Sequence, residues 1–320
     1  MNRRVNDRLI SQIIKNIPSE IKVIDYLKET LKISRESLYR RVRGEIPFTF
    51  DEISRLSVEL DFSIDEIVRP NNINRVYFAL PAEHSENPSK SFCKMLENHY
   101  DFVQTLLNSK DVEITIALNY VWPIFTLFFD PLFKFSYYRW MHFNREDSPR
   151  YKYSDVHIPQ EIIAIKDKIK FTSPYVHNTV FITDQFIYLN LIKDILYYYE
   201  RKLISDDELL EIKNGVADYF KLFQEQITMT HPVFKVYNYV SAISFGVNCS
   251  YIRFDDNVRC HFHTLSVSNI LIDNPSLCES NKDWLDSLRK YATMITESNE
   301  IFQAEFMNTQ YKYLEMLDIS

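Results

Sequence analysis

Glycine is scarce in this chain of 320 residues, which contains only Gly44, Gly215 and Gly246. Phosphate-binding loops, and the sharp turns that present a catalytic serine, need several glycines close together so that the backbone can approach a ligand or adopt strained angles. Glycines this far apart supply no such loop. The sequence argues against nucleotide-dependent enzymes and α/β-hydrolases, and we expect no enzymatic activity, no catalytic residues and no cofactor. An enzyme of another kind stays open as an alternative.

The chain also lacks a long apolar segment. Its longest charge-free apolar run, residues 114–129, contains Pro123 and is shorter than the roughly 18–20 residues that a membrane helix needs. This run predicts a buried strand and helix instead. The cysteines are few and widely spaced, at Cys93, Cys249, Cys260 and Cys278. Because no signal peptide is evident either, we expect a cytoplasmic protein with no membrane partner.

Helix-start signals follow one another between residues 34 and 68. An N-cap serine or threonine accepts an otherwise unpaired amide of the first turn, and a Glu three residues later completes a capping box. Thr49 with Glu52 and Ser63 with Glu66 have this spacing, and Ser34 begins a third helix. The helices predicted here span residues 20–31, 34–43, 49–60 and 63–68.

Four arginines fall within nine residues of the helix predicted at 34–43. Leu38 and Val42 share its buried face at 3.6 residues per turn. The residues expected to point away from that face, with Arg35 on its flank, are Glu36, Tyr39, Arg40 and Arg43. Arginines this close together repel one another, which costs free energy unless an anion neutralises their charge. Phosphate does so, and guanidinium groups also bind guanine edges. A solvated basic face is the alternative interpretation.

The segment resembles the lambda-repressor-like (XRE-type) helix-turn-helix family, in which a scanning helix, a turn, a serine-headed recognition helix and a glycine follow one another. The residues that match this pattern are Leu27, Ile33, Ser34, Arg35, Leu38, Arg40, Gly44, Leu56, Leu60 and Ile67. The resemblance covers about the first 70 residues. It implies a helix-turn-helix domain that binds double-stranded DNA.

The same resemblance implies which residues contact DNA. The head of the recognition helix and a residue about five positions further on meet base edges, which in this chain are Arg35, Glu36 and Arg40. Ser34 and Arg43 are expected on phosphates. With two further residues of the same helix, the predicted DNA-binding set is Ser34, Arg35, Glu36, Ser37, Tyr39, Arg40 and Arg43.

The sequence departs from the family pattern in three places. Lys28 stands where a small alanine is usual, and Lys32 stands where the turn usually has glycine. Arg41 replaces an apolar residue, and Val42 is expected to take over its packing. These departures concern how the recognition helix would dock on DNA.

Charge favours DNA binding only locally. Residues 1–45 contain eleven Lys and Arg against six Asp and Glu, whereas the whole chain has a net charge of −7. An overall field this acidic does not attract nucleic acid. Binding would have to come from a focused basic face, presented twice by a homodimer.

The rest of the chain predicts a second domain. A polar segment rich in proline indicates a linker at 71–89, between a helix-turn-helix domain at 1–70 and an α+β domain at 90–320. Its helices are predicted at 90–108, 159–169, 185–201, 206–228, 281–296 and 299–317. Its strands are predicted at 112–118, 179–183, 236–245, 249–254 and 258–267.

The last three of these strands are adjacent in sequence, and residues 255–257 suit a hairpin turn between the final two. This arrangement predicts a small antiparallel sheet. The expected fold is therefore mainly α, with an N-terminal helix-turn-helix bundle followed by an α+β part.

Aromatic residues cluster between Trp122 and Trp140. They are typical of an ordinary core of large side chains, and an aromatic-lined pocket for a small-molecule effector is the alternative. Arg139 and Trp140 suit a dimer interface equally well, because aromatic and arginine residues are enriched there.

Cys260, His261 and His263 form the one cluster that hints at metal. On a strand the two histidines share one face and the cysteine lies on the other. Further ligands would have to come from elsewhere, such as His231 or Asp255. Two satisfied or exposed histidines are the favoured interpretation, so we predict no metal site.

These observations predict a sequence-specific transcriptional regulator with a C-terminal domain for dimerisation and possible effector binding. Two other classes stay open. One is a protein-interaction or assembly factor that uses the helical N-terminal domain. The other is a metal-dependent enzyme fused to a DNA-binding domain.

Overall fold

The structure is a computed structural model. It describes residues 2–17, 21–60, 62–68, 87–144, 150–172, 179–228, 236–263, 270–296 and 299–318. Contacts divide the chain into two units, residues 1–77 and 78–320. The predicted linker at 71–89 lies outside the described residues except for its last three, where Asn87 caps a helix that begins at Pro88.

The N-terminal unit is helical throughout its regular structure. Its helices are α1 (Asn2–Asn16), α2 (Val23–Leu31), α3 (Arg35–Val42), α4 (Phe50–Glu59) and α5 (Ile64–Val68). The last four confirm the predicted helices to within a few residues. Helix α1 was not predicted, although Val5, Leu9 and Ile13 recur every fourth residue and turn one apolar face into the core.

Side-chain caps begin two of these helices as the sequence predicts. Ser34 Oγ accepts from the Ser37 amide at 3.3 Å. Thr49 and Glu52 form a complete capping box, in which the Thr49 amide donates to the Glu52 carboxylate at 2.8 Å. The side chain of Glu66 lies outside the described residues, so the third capping box stays a prediction.

Two residues at the ends of helices have left-handed backbone. Lys32 ends α2 with φ 55°, and its amide donates to the Lys28 carbonyl at 3.0 Å. Gly44 has φ 75° in the turn after α3. A left-handed angle costs a side chain about 1–2 kcal/mol but costs glycine little. The turn before α3 thus has the conformation that favours glycine, and a lysine adopts it.

The C-terminal unit alternates helices with strands. Its helices are α6 (Pro88–Leu107), α7 (Asp130–Asn144), α8 (Gln160–Phe171), α9 (Ile187–Glu200), α10 (Asp206–Thr228), α11 (Pro275–Lys290) and α12 (Glu300–Glu315). Its strands are β1 (Val112–Leu118), β2 (Thr179–Asp184), β3 (Val236–Ser241), β4 (Asn248–Phe254), β5 (Asn257–His263), β6 (Ile270–Ile272) and β7 (Ala292–Met294). Among the described residues, none of the helices combines the length and apolar character needed to cross a membrane.

The prediction of a small antiparallel sheet is wrong. The strands form one seven-stranded mixed sheet in the order β6-β5-β4-β1-β2-β3-β7. The three neighbouring strands β1, β2 and β3 are parallel, and the remaining pairings are antiparallel. Parallel neighbours need long crossover connections, and helices α7 to α10 provide them.

The predicted hairpin is confirmed, but the position of β3 was not predicted. Phe254 pairs with Asn257 across a turn in which Asp255 has φ 48°. Strand β3 lies away from this hairpin, because β1 and β2 separate it from β4. It also ends earlier than predicted, at Ser241, whose Oγ accepts from the Ile243 amide at 3.2 Å and closes a local turn.

Two helices in this unit correct the prediction. Helix α7 was not predicted. Its own apolar and aromatic residues occupy all sides of the helix, so its sequence shows no helical period. Helix α11 begins at Pro275, earlier than the predicted residue 281, because Asn274 caps it with Pro275 in the first turn. Strand β7 occupies residues that were assigned to the end of that helix.

Candidate nucleic-acid interface

Helix α3 presents its arginines as its periodicity predicts. Leu38 is fully buried, and the Tyr39 side chain is exposed. The side chains of Arg35, Arg40 and Arg43 are 61%, 54% and 68% exposed. A short helix that is anchored by one buried leucine therefore displays three guanidinium groups to solvent.

The two serines of the predicted set have different surroundings. Ser34 lies at the head of α3 and is exposed. Ser37 is half-buried, and its Oγ accepts a hydrogen bond from Arg41 at 2.5 Å. Both serine hydroxyl oxygens thus accept a hydrogen bond inside the unit, and Ser34 is the more exposed of the two.

The fourth arginine, Arg41, is turned away from the exposed face. Its guanidinium donates two hydrogen bonds of 2.9 Å to the two carboxylate oxygens of Glu52. The two side chains are only 12% and 14% exposed. Val42 packs against the apolar core beside this pair, as predicted. The sequence identified Arg41 as a departure from the family pattern but gave no sign of its partner.

The ionisation of Glu52 reflects this pairing. Burial by itself would raise the pKa of its carboxyl group, but hydrogen bonds from Arg41 and from the Thr49 amide hold the pKa below its ordinary value. Glu52 therefore caps α4 and neutralises Arg41 at the same time. This double contact ties α3 to α4 and fixes the direction of the exposed face.

Carboxylates of the same unit accompany each exposed arginine. Arg35 Nη2 lies 2.5 Å from Asp25 Oδ1. Glu45 lies 3.5 Å from Arg40 and 3.7 Å from Arg43. Exposed ion pairs of this kind contribute little stability, so the arginines can exchange them for another anion.

The exposed face of α3 offers donors and one acceptor to a partner. Guanidinium groups bind phosphate or the guanine edge with paired donors. Glu36 is exposed and makes no ion pair with any residue that the structure describes. A carboxylate in this place accepts from the amino group of cytosine. Tyr39 adds a ring over which Arg43 lies at 5.9 Å.

The cluster of Cys260, His261 and His263 lies in the C-terminal unit on β5. The two histidines share one face of the sheet, where His261 lies 5.0 Å from the Phe102 ring and His263 lies 3.8 Å from the Trp122 ring. Cys260 faces α11, where Asn281 contacts its sulfur. The predicted division between the two faces is confirmed.

Within the described ranges, no group of three or more histidine, cysteine or acidic side chains is arranged to hold a metal ion. Asp255 accepts from the Lys110 amide at 3.0 Å in the loop before β1, and His231 lies outside the described residues. The histidines instead form a buried ring cluster with aromatic neighbours.

Burial favours the neutral form of two histidines here, His261 on β5 and His99 on α6, whose ring lies 6.4 Å from that of Trp122. Desolvation, assisted by the nearby His263, lowers the pKa of His99 to about 4. Desolvation also lowers the pKa of His261 to about 3, with smaller contributions from His263 and Arg259. A proton on either ring would introduce a buried charge that no carboxylate among the described residues compensates, so protonation favours the unfolded chain.

We expect the C-terminal unit to lose stability as the pH falls. In the unfolded chain a histidine binds a proton below about pH 6.5. In the folded protein His99 binds one only below about pH 4, and His261 only below about pH 3. Between these values each histidine lowers the free energy of unfolding by up to about 1.4 kcal/mol per pH unit. Urea unfolding across this range should show the decline, and His261→Gln should make it shallower. The exposed His157→Gln is the control; an equal effect there would contradict the prediction.

The aromatic cluster between Trp122 and Trp140 mostly forms a core. Phe133, Phe135 and Tyr138 are buried. The dimer-interface alternative for Arg139 and Trp140 does not hold. Both are buried within one copy: Trp140 Nε1 donates to the Pro88 carbonyl at 2.7 Å and Arg139 lies 2.8 Å from Asp194.

The cysteines are buried and unpaired with one another. Burial raises the pKa of the Cys249 thiol to about 12 and also raises that of Cys93. A thiolate is the reactive form of cysteine, so these thiols are unreactive at neutral pH.

Comparison with known proteins yields no relative: no family model, no curated protein and no solved structure matches this chain.

Proposed function

We propose that this protein is a sequence-specific regulator of transcription that binds double-stranded DNA through α3, and that it is not an enzyme. The observation that carries the proposal is the exposure of Arg35, Arg40 and Arg43 on one face of a helix that is capped at Ser34. Arg35 and Arg40 lie on α3 itself and Arg43 is its C-cap, and guanidinium groups of this kind bind phosphates and base edges.

The exposed charged residues of α3 and its two capping residues each have a place in the proposed complex. Arg35 and Arg40 bind guanine edges in the major groove, and Glu36 accepts from a cytosine amino group. Arg43 and the serine at the head of the helix bind phosphates, which set the position of α3 on the duplex. The operator half-site should then contain guanine opposite Arg35 and Arg40 and cytosine opposite Glu36.

The distribution of charge supports a focused contact. The chain as a whole is acidic, with a net charge of −7, so it has no general attraction for nucleic acid. The basic excess of the first 45 residues and the exposed arginines of α3 supply a local one. Two such faces are needed for tight binding, and a homodimer presents them about 34 Å apart, one turn of the duplex.

The C-terminal unit has the dimerising and sensing role in this proposal. In a homodimer this unit would set the separation of the two α3 helices. A small-molecule effector would act by favouring one separation over another. Thermal-shift measurements with small-molecule fractions of cell extracts test this step, and no stabilising fraction would favour a constitutive dimer.

Fluorescence anisotropy with labelled fragments of the protein's own upstream region tests the proposed function directly. Between about 50 and 200 mM salt, binding should weaken steeply, with a slope of about −0.9 per phosphate contacted. Saturable binding to one fragment, with much weaker binding to unrelated duplex, is the expected result. A folded sample that binds no fragment at low salt would overturn the proposal.

A protein-interaction or assembly factor is the second candidate. It is favoured by α4, where the side chains of Phe50 and Val58 are exposed although both are apolar. Apolar residues mark contact with another protein where they form a contiguous exposed patch, and Phe50 and Val58 lie about two turns apart on α4. Under this alternative the arginines of α3 are dispensable for function.

A further inference from the structure

Glu45 occupies a fixed place just beyond the end of α3. Gly44 turns the chain with φ 75°, and its amide donates to the Arg41 carbonyl at 2.9 Å. The Glu45 amide then donates to the Arg40 carbonyl, also at 2.9 Å. These two backbone hydrogen bonds hold Glu45 against the last turn of the helix.

The carboxylate of Glu45 bridges two arginines of the proposed interface. Its Oε2 lies 3.5 Å from Arg40 Nε, and its Oε1 lies 3.7 Å from Arg43 Nη1. All three side chains are roughly half exposed, so the bridge lies at the surface where DNA would approach. One carboxylate thus neutralises part of the charge of both guanidinium groups.

We propose that Glu45 is an intramolecular competitor for DNA. This inference rests on the proposed function of α3. Carboxylate and phosphate oxygens accept the same guanidinium donors, so a duplex must displace Glu45 before it can bind Arg40 and Arg43. Where Arg40 meets no guanine it keeps its contact with Glu45, which limits binding to unrelated sequences.

The test is the Glu45→Gln variant on a short duplex of mixed sequence. Its affinity should be about fivefold higher than that of the natural protein at about 50 mM salt. Fivefold corresponds to roughly 1 kcal/mol, the upper range for an exposed ion pair. The gain should shrink as salt is raised, because added salt weakens the interactions of exposed charges, including the repulsion between Glu45 and the phosphates.

Two further variants separate competition from net charge. Glu29→Gln removes one exposed carboxylate from the same unit, and Glu29 forms no ion pair with a described residue. This control should tighten binding far less. Adding Glu45→Gln to Arg43→Ala should also give a smaller gain than adding it to the natural protein, since one of the two competing contacts is already absent. Equal gains from Glu45→Gln and Glu29→Gln would overturn the proposal.

A second readout uses the free protein. Glu45→Gln should speed proton exchange of the Arg40 and Arg43 side chains in NMR spectra, because the carboxylate that lies beside both guanidinium groups loses its charge. If both proteins bind the duplex equally well, the proposed role of Glu45 is overturned, but the DNA-binding function is not. Changed exchange with no duplex binding by either protein would overturn the DNA-binding function, and the competition with it.

Discussion

Replacing Arg35 and Arg40 together with alanine should weaken binding to the operator by about 2–6 kcal/mol. Each arginine is expected to contact a guanine, and such a contact contributes about 1–3 kcal/mol. The loss corresponds to roughly thirtyfold to twenty-thousandfold in the dissociation constant. Anisotropy titration with the operator fragment at fixed salt measures it.

The fold should survive this double substitution, because both side chains are more than half exposed. The thermal unfolding midpoint is therefore expected to stay close to that of the natural protein. Arg55→Ala on α4 removes an exposed arginine outside the proposed interface and provides the matched control. If the double variant and this control bind the operator equally well, α3 is not the recognition helix.

Replacing Glu52 with alanine should destabilise the N-terminal unit by about 2–4 kcal/mol. The substitution leaves the Arg41 guanidinium nearly buried and unpaired, which is the costly way to break an ion pair. It also removes the acceptor for the Thr49 amide at the start of α4. Hydrogen exchange of the amides in α2 to α4 of the full chain measures the loss.

Two variants examine the cause of this effect. Asp51→Ala removes a neighbouring, exposed carboxylate from the same helical turn and should cost less than about 1 kcal/mol. Replacing Arg41 and Glu52 together with leucine should restore much of the stability, because no charge is then buried. If Glu52→Ala and Asp51→Ala are equally mild, the pair is not what stabilises the unit.

The same pair gives a dependence on pH. The pKa of Glu52 is lower in the folded unit than in the unfolded chain. Its contribution to stability is therefore fully present above the unfolded value of about 4.3. It is lost as the pH falls through the lower folded value, so the effect of Glu52→Ala should shrink in acid.

Local signals in the sequence were sufficient for helices α2 to α5 of the N-terminal unit, although α1 was missed. Ser34 and Thr49 cap their helices through contacts that span three residues, which a sequence shows directly. The exposed face of α3 also follows from the helical period alone. The contact of Arg41 with Glu52 joins two helices, so no local pattern indicates it. The sequence predicts only the capping role of Glu52, and the ion pair was therefore not predicted.

The sheet was predicted less well, because its order depends on contacts between distant parts of the chain. The runs that became β1 and β4 were recognised as strands, but nothing local indicates that they are neighbours. Strands β6 and β7 contain three residues each and are too short to show alternation. The parallel pairing of β1, β2 and β3 depends on two crossover connections. One of them contains α7, whose sequence shows no helical period.

The pairing of β1 with β4 also affects how the protein is made. Ile114 on β1 lies opposite Ile252 on β4, more than a hundred residues later in the chain. During synthesis β1 leaves the ribosome long before this neighbour exists, and an unpaired apolar strand is a template for aggregation. The N-terminal helices make contacts over short stretches of chain and can fold at once. The C-terminal unit should therefore need chaperones at a time when the N-terminal unit has already folded.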